Sequence, residues 1–149
     1  MGNDERDFGL ELEIAAPRQA VFEALRDPTA IADWWEAEVD GGGEVGETMR
    51  VSFGTGGWTD LRVDRLERPA AIEWACTAQA ISRFNPPDEW VGTRMSFDFE
   101  AMGEGRTRLL FVHHGLRPLD CIELCERGWS YHLGSTLKRK LEDPATKLV

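Results

Sequence analysis

Between residues 8 and 14, Phe8, Leu10, Leu12 and Ile14 alternate with Gly9, Glu11 and Glu13. A period of two places the four apolar side chains on one face and predicts a half-buried strand. Ala15-Ala16-Pro17 ends that strand, and Pro17 suits a first helical turn because its missing N–H would have no partner there. A helix through about Leu25 follows, burying Val21, Phe22 and Leu25. Asp27 is placed to cap a second short helix from Pro28 to about Asp33, which leads into the pair Trp34-Trp35.

Glycines 41–43 and Gly46 then punctuate the chain. Met49, Val51 and Phe53 alternate with polar residues as a strand, and Gly54-Thr55-Gly56-Gly57 turns it back. Leu61 and Val63 begin the next strand, whose pattern breaks at Arg65-Leu66. After the turn at Glu67-Arg68-Pro69, Ile72, Trp74 and Cys76 define another. Residues 78–92 carry Asn85-Pro86-Pro87 and no clear period, which predicts a long irregular connection of the kind that covers a site. Met95, Phe97 and Phe99 give the cleanest alternation, Gly103-Glu104-Gly105 turns the hairpin, and Leu109, Phe111 and His113 share a face of the last strand. From Leu119 to about Glu142, Ile122, Cys125, Trp129, Leu133, Leu137 and Leu141 recur at three- and four-residue spacing, predicting one long amphipathic helix.

The order is a strand, two short helices, about six strands in meander and a long helix. Antiparallel strands segregated from helices indicate one α+β domain over residues 1–149. Six pieces in this order carry a resemblance. They are Ala16-Pro17 through Val21-Phe22, Asp27-Pro28 to Trp34-Trp35, Arg68-Pro69 before Ile72-Glu73-Trp74, Gly105 to Leu109, His113-His114-Gly115, and Gly128-Trp129 with Leu133 and Leu137. Together they resemble the activator of heat-shock ATPase homologue family, within the START-like (SRPBCC, polyketide cyclase and birch-pollen-allergen-like) superfamily. The resemblance implies a helix-grip fold, a curved antiparallel sheet wrapped around the C-terminal helix with a cavity between them, closed at one end by the two short helices. This chain departs from the family pattern in the long 78–92 connection and in Phe22, where the family often carries Trp.

Charge and composition narrow the partners. The 149 residues carry a formal net charge of −10, which repels phosphate backbones and argues against nucleic acid or an anionic membrane. No apolar run approaches the ~18 residues of a membrane span. The polar, acidic start Met1–Asp7 offers neither a signal sequence nor a myristoylation motif, so a cytoplasmic location is expected. Three cysteines, 76, 121 and 125, with no Cys-x-x-Cys pair, argue against a disulfide framework or zinc ribbon.

Six tryptophans and seven phenylalanines exceed what a small core needs. On the helix-grip arrangement, Phe53, Trp74, Met95, Phe97, Phe111 and Trp129 face the hollow, with Trp34 and Trp35 at its end, either as ligand contacts or simply as filling. His113 shares the inward face, where a neutral imidazole would bind a ligand, move a proton or sit satisfied in the core. Tyr131 and His132 follow Trp129 on the helix and offer further polar tips. Cys121, Cys125 and His132 share a helical stripe, but the seven residues from Cys125 to His132 span about 10 Å, too far for one zinc, so no metal or other cofactor is expected. The nucleophile-elbow, Walker, dinucleotide and zinc-protease motifs are absent.

Three functions remain in view. The first is non-catalytic binding of a small apolar molecule by Trp34, Trp35, Phe53, Trp74, Met95, Phe97, Phe111, His113, Trp129 and Tyr131. The second, implied by the resemblance, is an interaction module with a chaperone or other protein as partner, which predicts a filled core and an exposed apolar patch. The third, also by analogy, is a cyclase- or aromatase-like enzyme using His113 or Tyr131.

Overall fold

The computed structural model describes residues 6–143; the sequence reading of the extreme N-terminus falls largely on residues 1–5, outside that range. The order is β1 (Phe8–Ile14), α1 (Arg18–Arg26), α2 (Pro28–Trp35), β2 (Glu38–Gly41), β3 (Thr48–Ser52), β4 (Gly57–Glu67), β5 (Ala71–Ile81), β6 (Arg94–Ala101), β7 (Thr107–His114), then α3 (Ile122–Tyr131), a π-helical stretch (His132–Leu137) and α4 (Lys138–Glu142). The strands form one antiparallel sheet in the order β1-β7-β6-β5-β4-β3-β2. This is the expected α+β helix-grip arrangement. The core lies between the sheet's inner face and the helices, where Trp34, Trp74, Phe22, Phe97 and Phe111 are fully buried.

Local chemistry sets the helix ends. Pro17 precedes α1 in extended conformation, and the Asp27 carboxylate accepts the Thr29 N–H at 3.0 Å, capping α2. That helix continues past Asp33 through Trp35 because both indoles are buried and the Trp34 indole N–H donates to the Ala24 carbonyl at 2.8 Å. The sheet's outer face is laced with ion pairs such as Arg50–Asp60, Arg62–Asp64 and Arg65–Glu73. Exposed pairs of this kind contribute little each, about 0–1 kcal/mol.

Four features differ from the sequence reading. The short edge strand β2, Glu38-Val39-Asp40-Gly41, falls in a stretch where the sequence reading placed no strand individually, because it has one apolar residue and no readable period. Phe53 lies just beyond β3 rather than in it. β5 runs on to Ile81, so the irregular connection occupies 82–93 and not 78–92. In the β4–β5 ladder Asp60 pairs with Ala78 and Leu61 with Cys76, leaving Thr77 as a bulge that flips the alternation. Inward residues are even-numbered before it (Ile72, Trp74, Cys76) and odd-numbered after it (Gln79, Ile81).

The C-terminal helix is not uniform either. Cys125, Trp129, Leu133 and Leu137 are four residues apart, and in an α-helix each such step drifts about 40° around the axis. The π-helical turn at His132–Leu137, wider than an α-turn, rotates the stripe back so that Leu133 and Leu137 stay buried against the sheet.

Candidate functional site: a ring-walled hollow

The inner face of the sheet is filled at one end and open at the other. Trp74 meets Phe97 edge-on at 4.7 Å, Phe97 lies 5.0 Å from Phe111, and Phe111 lies 4.5 Å from Trp129. Trp34 stacks on Trp35 at 5.3 Å and Trp35 on Trp74 at 6.2 Å. These contacts leave no room among the rings, and Trp34, Trp74, Met95, Phe97 and Phe111 are at most 1% exposed.

Beyond that packed end lies a hollow of about 240 Å³, open to solvent on one side. Its walls are the rings of Trp35, Phe53, Phe84, Trp90 and Trp129, with Ile81, Leu124 and Cys125, and its polar atoms come from Thr59, Gln79, Arg83 and His132. Trp90 and Trp129 are stacked at 5.7 Å, and Phe84 flanks Trp90 at 5.8 Å. Of the ten residues singled out from the sequence, the structure brings Trp35, Phe53 and Trp129 to this hollow. Trp34, Trp74, Met95, Phe97, Phe111 and His113 pack the interior beside it. Tyr131 is 49% exposed and leans on His132 from outside, since two residues beyond Trp129 is about 200° around the helix.

Trp90, Phe84, Gln79, Thr59 and Gly128 were not foreseen as wall residues, whereas His132, read from the sequence as a polar tip beside Trp129, does line the hollow. Gln79 organises this side of the hollow. It sits opposite Thr59 in the ladder, its amide N–H donates to the Thr59 hydroxyl at 3.0 Å, and its carbonyl accepts the Trp90 backbone N–H at 2.9 Å. The buried amide thereby ties the connection after β5 to the sheet and holds the Trp90 ring over Trp129. Two polar atoms in the wall are buried and have no hydrogen-bond partner, Trp90 Nε1 and His132 Nδ1. Burial holds the His132 imidazole below its ordinary value, against the opposing pull of the Trp34 carbonyl and Glu36.

His113 is wholly buried and fully satisfied. The Trp129 indole, which can only donate, points its N–H at His113 Nδ1 at 3.1 Å, so Nδ1 carries no proton. Nε2–H then donates to the Thr93 hydroxyl at 2.9 Å, whose own proton goes to the Trp90 carbonyl at 2.6 Å. A second ring proton would face the indole N–H, donor against donor. Burial, with His114 adding to it, lowers the imidazole to about 3, so His113 is neutral and structural near neutral pH.

Among the described residues no three His, Cys, Asp or Glu side chains converge as a metal site, and no helix is long and apolar enough to cross a membrane.

Comparison with known proteins agrees with this architecture. The chain is similar to the Aha1 dimer from Colwellia psychrerythraea, at 28% identity over 91% of this chain and 96% of that one, with a TM-score of 0.76. Protein MLL2253 from Mesorhizobium loti shares the fold at 21% identity, covering 89% of this chain and 94% of that one, with a TM-score of 0.75. PFC0360w, an HSP90 activator from Plasmodium falciparum, shares it at 17% identity, with 83% and 87% coverage and a TM-score of 0.65. No curated protein matches the chain by sequence. The family model described as Activator of Hsp90 ATPase homolog 1-like protein matches residues 15–142, and the chain belongs to that family.

Proposed function

We propose that this protein binds a small, flat, largely apolar molecule in the hollow between the β4–β5 end of the sheet and α3. The observation that carries the reading is Gly128. It occupies the interior of α3 and lines the hollow, and a Cβ built there meets no atom within 4 Å. Glycine inside a helix costs about 0.5–1 kcal/mol relative to alanine, and here neither a close backbone approach nor a positive φ requires it. Its effect is to leave space beside Trp129.

At about 240 Å³ the hollow falls just below the ~300–1,000 Å³ range of drug-sized pockets, which suits one or two fused rings. The rings of Trp90 and Trp129 supply flat contact area, and the polar residues Thr59, Gln79, Arg83 and His132 in the lining favour a ligand that carries a polar substituent. His113, neutral and satisfied on both nitrogens, is no proton shuttle, which removes the main support for a cyclase-like reaction.

The test is a tryptophan-fluorescence titration with 2-naphthol, alongside native mass spectrometry, on the wild type and Gly128→Leu. Leucine at 128 fills the hollow on a helix that favours it. The wild type should show saturable quenching and a one-to-one complex, and Gly128→Leu should remain folded by circular dichroism but bind at least about tenfold more weakly. Equal binding by the two proteins would place the ligand elsewhere, and absence of saturable binding to either would count against the hollow as a binding site for this class of molecule.

Family membership favours a second reading, docking on a chaperone ATPase. The exposed large apolar residues among those described, Val45, Val91 and Tyr131, lie on separate elements rather than marking a single segment. Stimulation of an Hsp90-type ATPase by the added chain would support this reading, and unchanged turnover at saturating protein would reject it.

A further inference from the structure

One cationic side chain stands in the wall of the hollow. Arg83 lies in the connection after β5, between Ile81 and Phe84, and all three line the hollow. The connection turns sharply here. The Phe84 N–H donates to the Ile81 carbonyl at 3.1 Å, closing a four-residue turn with Ser82 and Arg83 at its centre. The Ser82 N–H donates to the Gly56 carbonyl at 3.0 Å, and the Ile81 N–H to the Pro87 carbonyl at 2.9 Å. These bonds fasten the turn to the β3–β4 connection and to its own loop, so the Arg83 backbone is held at the rim of the hollow while the residue itself stays exposed.

The charge of Arg83 is unmatched. On the sheet Arg50, Arg62, Arg65 and Arg94 each have a carboxylate within 4.0 Å. Arg83 has no carboxylate partner among the described residues, and no Asp or Glu belongs to the lining of the hollow. Acidic residues outnumber Lys and Arg 27 to 17 in the sequence, so a wall with a cation and no acid runs against the balance of the chain. His132, the other basic group in the lining, is held below its ordinary value by burial and is neutral near neutral pH, so Arg83 supplies the positive charge of the wall.

We propose that the ligand of the hollow is an aromatic monocarboxylic acid, whose ring system lies against Trp90 and Trp129 and whose carboxylate is bound by Arg83. The inference rests on the hollow being the binding site. A guanidinium presents parallel N–H groups that match the two oxygens of one carboxylate. One cation neutralises a monoanion. A phosphate monoester, at about −1.5 to −2 near neutral pH, would keep an unmatched charge against an apolar wall, in a chain whose net charge is already −10. That net charge does not bar a carboxylate from the rim. At physiological ionic strength the Debye length is about 8 Å, so distant acidic groups are screened and the guanidinium beside the ligand sets the local sign.

The test compares 2-naphthoate with 2-naphthamide, which has nearly the same shape and no charge, by isothermal titration calorimetry at neutral pH and low salt. The wild type should bind both, the carboxylate about fivefold more tightly, the size of one exposed charge-assisted pair. The preference should vanish in Arg83→Gln, invert in Arg83→Glu and persist in Arg139→Gln, which removes an exposed cation from α4, outside the lining. Because Arg83 is exposed and makes no ion pair among the described residues, its variants should keep the wild-type circular dichroism spectrum. Gly128→Leu should weaken both compounds. Equal affinity of the wild type for the two compounds, or a preference that survives Arg83→Gln, would overturn the carboxylate assignment and leave the hollow as an apolar site. Binding of neither compound, or binding untouched by Gly128→Leu, would overturn the hollow as the site and this inference with it.

Discussion

The donor pattern at His113 makes stability depend on pH in a calculable way. The unfolded imidazole titrates near 6.5, while the folded one is held at about 3, so between these values the folded state binds fewer protons than the unfolded state. Stability therefore rises with pH in this window, is fully present above about 6.5, and is lost progressively as pH falls. At pH 5 the unfolded ring is nearly all protonated and the folded ring is not. The linkage factor is then about 30-fold, a loss of about 2 kcal/mol relative to pH 7. Any folded value below about 4 gives the same loss at pH 5, because the unfolded group alone then sets it.

The assay is urea unfolding at pH 7 and pH 5, followed by far-ultraviolet circular dichroism, for the wild type and His113→Asn. Asparagine keeps an acceptor near the Trp129 indole but has no proton to gain. It should cost about 1–3 kcal/mol at pH 7, because the Thr93 contact is lost. Its loss on going to pH 5 should be smaller than the wild type's by about 2 kcal/mol. His132, also lowered by burial, contributes in the same direction but is present in both proteins and cancels in the comparison. Equal pH dependence in the two proteins, or an NMR titration of His113 centred near 6.5, would refute the assignment of a neutral ring between an indole donor and a threonine hydroxyl.

Three further outcomes follow from the packing. Gly57→Ala should lower stability by about 3 kcal/mol or more, because φ is +118° and a Cβ would sit 1.8 Å from the Ala80 carbonyl oxygen, whereas Gly103→Ala, strained in φ but facing open space, should cost about 1 kcal/mol; thermal melts separate the two. Gly128→Ala should raise stability by about 0.5–1 kcal/mol in urea unfolding. Phe97→Ala should cost about 3–5 kcal/mol, while Tyr131→Ala should stay within about 0.5 kcal/mol, a contrast that tests which rings are core.

Much of the fold was readable because its strands obey one rule. Met95, Phe97 and Phe99 alternate without interruption, and β6 lies where that alternation lies. The reading failed where the backbone changes phase. The Thr77 bulge moved the inward face from even to odd positions, so Gln79 and Ile81 looked aperiodic and β5 seemed to end early. The π-helical turn is likewise invisible to a search for α-helical spacing, although the strict four-residue run from Cys125 to Leu137 carried its signature. The hollow was placed too deep. Inward-facing rings were read as its lining, but rings large enough to line a cavity are also large enough to fill it, and at Trp74, Phe97 and Phe111 they do. Tyr131 was chosen for its chemistry rather than its helical angle.

The position of the hollow follows from where bulk is missing, not from where aromatic residues are present. Along β5, β6 and β7 the inward positions at the packed end are Trp74, Phe97 and Phe111, whose rings close on Trp35 and Trp129. At the open end the inward positions of β4 and β5 are Thr59 and Gln79, Gly56 turns the chain between β3 and β4, and the helix opposite presents Gly128. Thr59 and Gln79 spend their polar groups on each other and on the Trp90 backbone, so they can be buried without holding water in the hollow. The result is a gradient of side-chain size across one sheet, large rings at one end and small or mutually satisfied residues at the other. Filling the small end from the helix, as Gly128→Leu does, should therefore abolish the hollow without disturbing the packed end, whereas Phe97→Ala should open a second cavity that is apolar, enclosed and separate from the first.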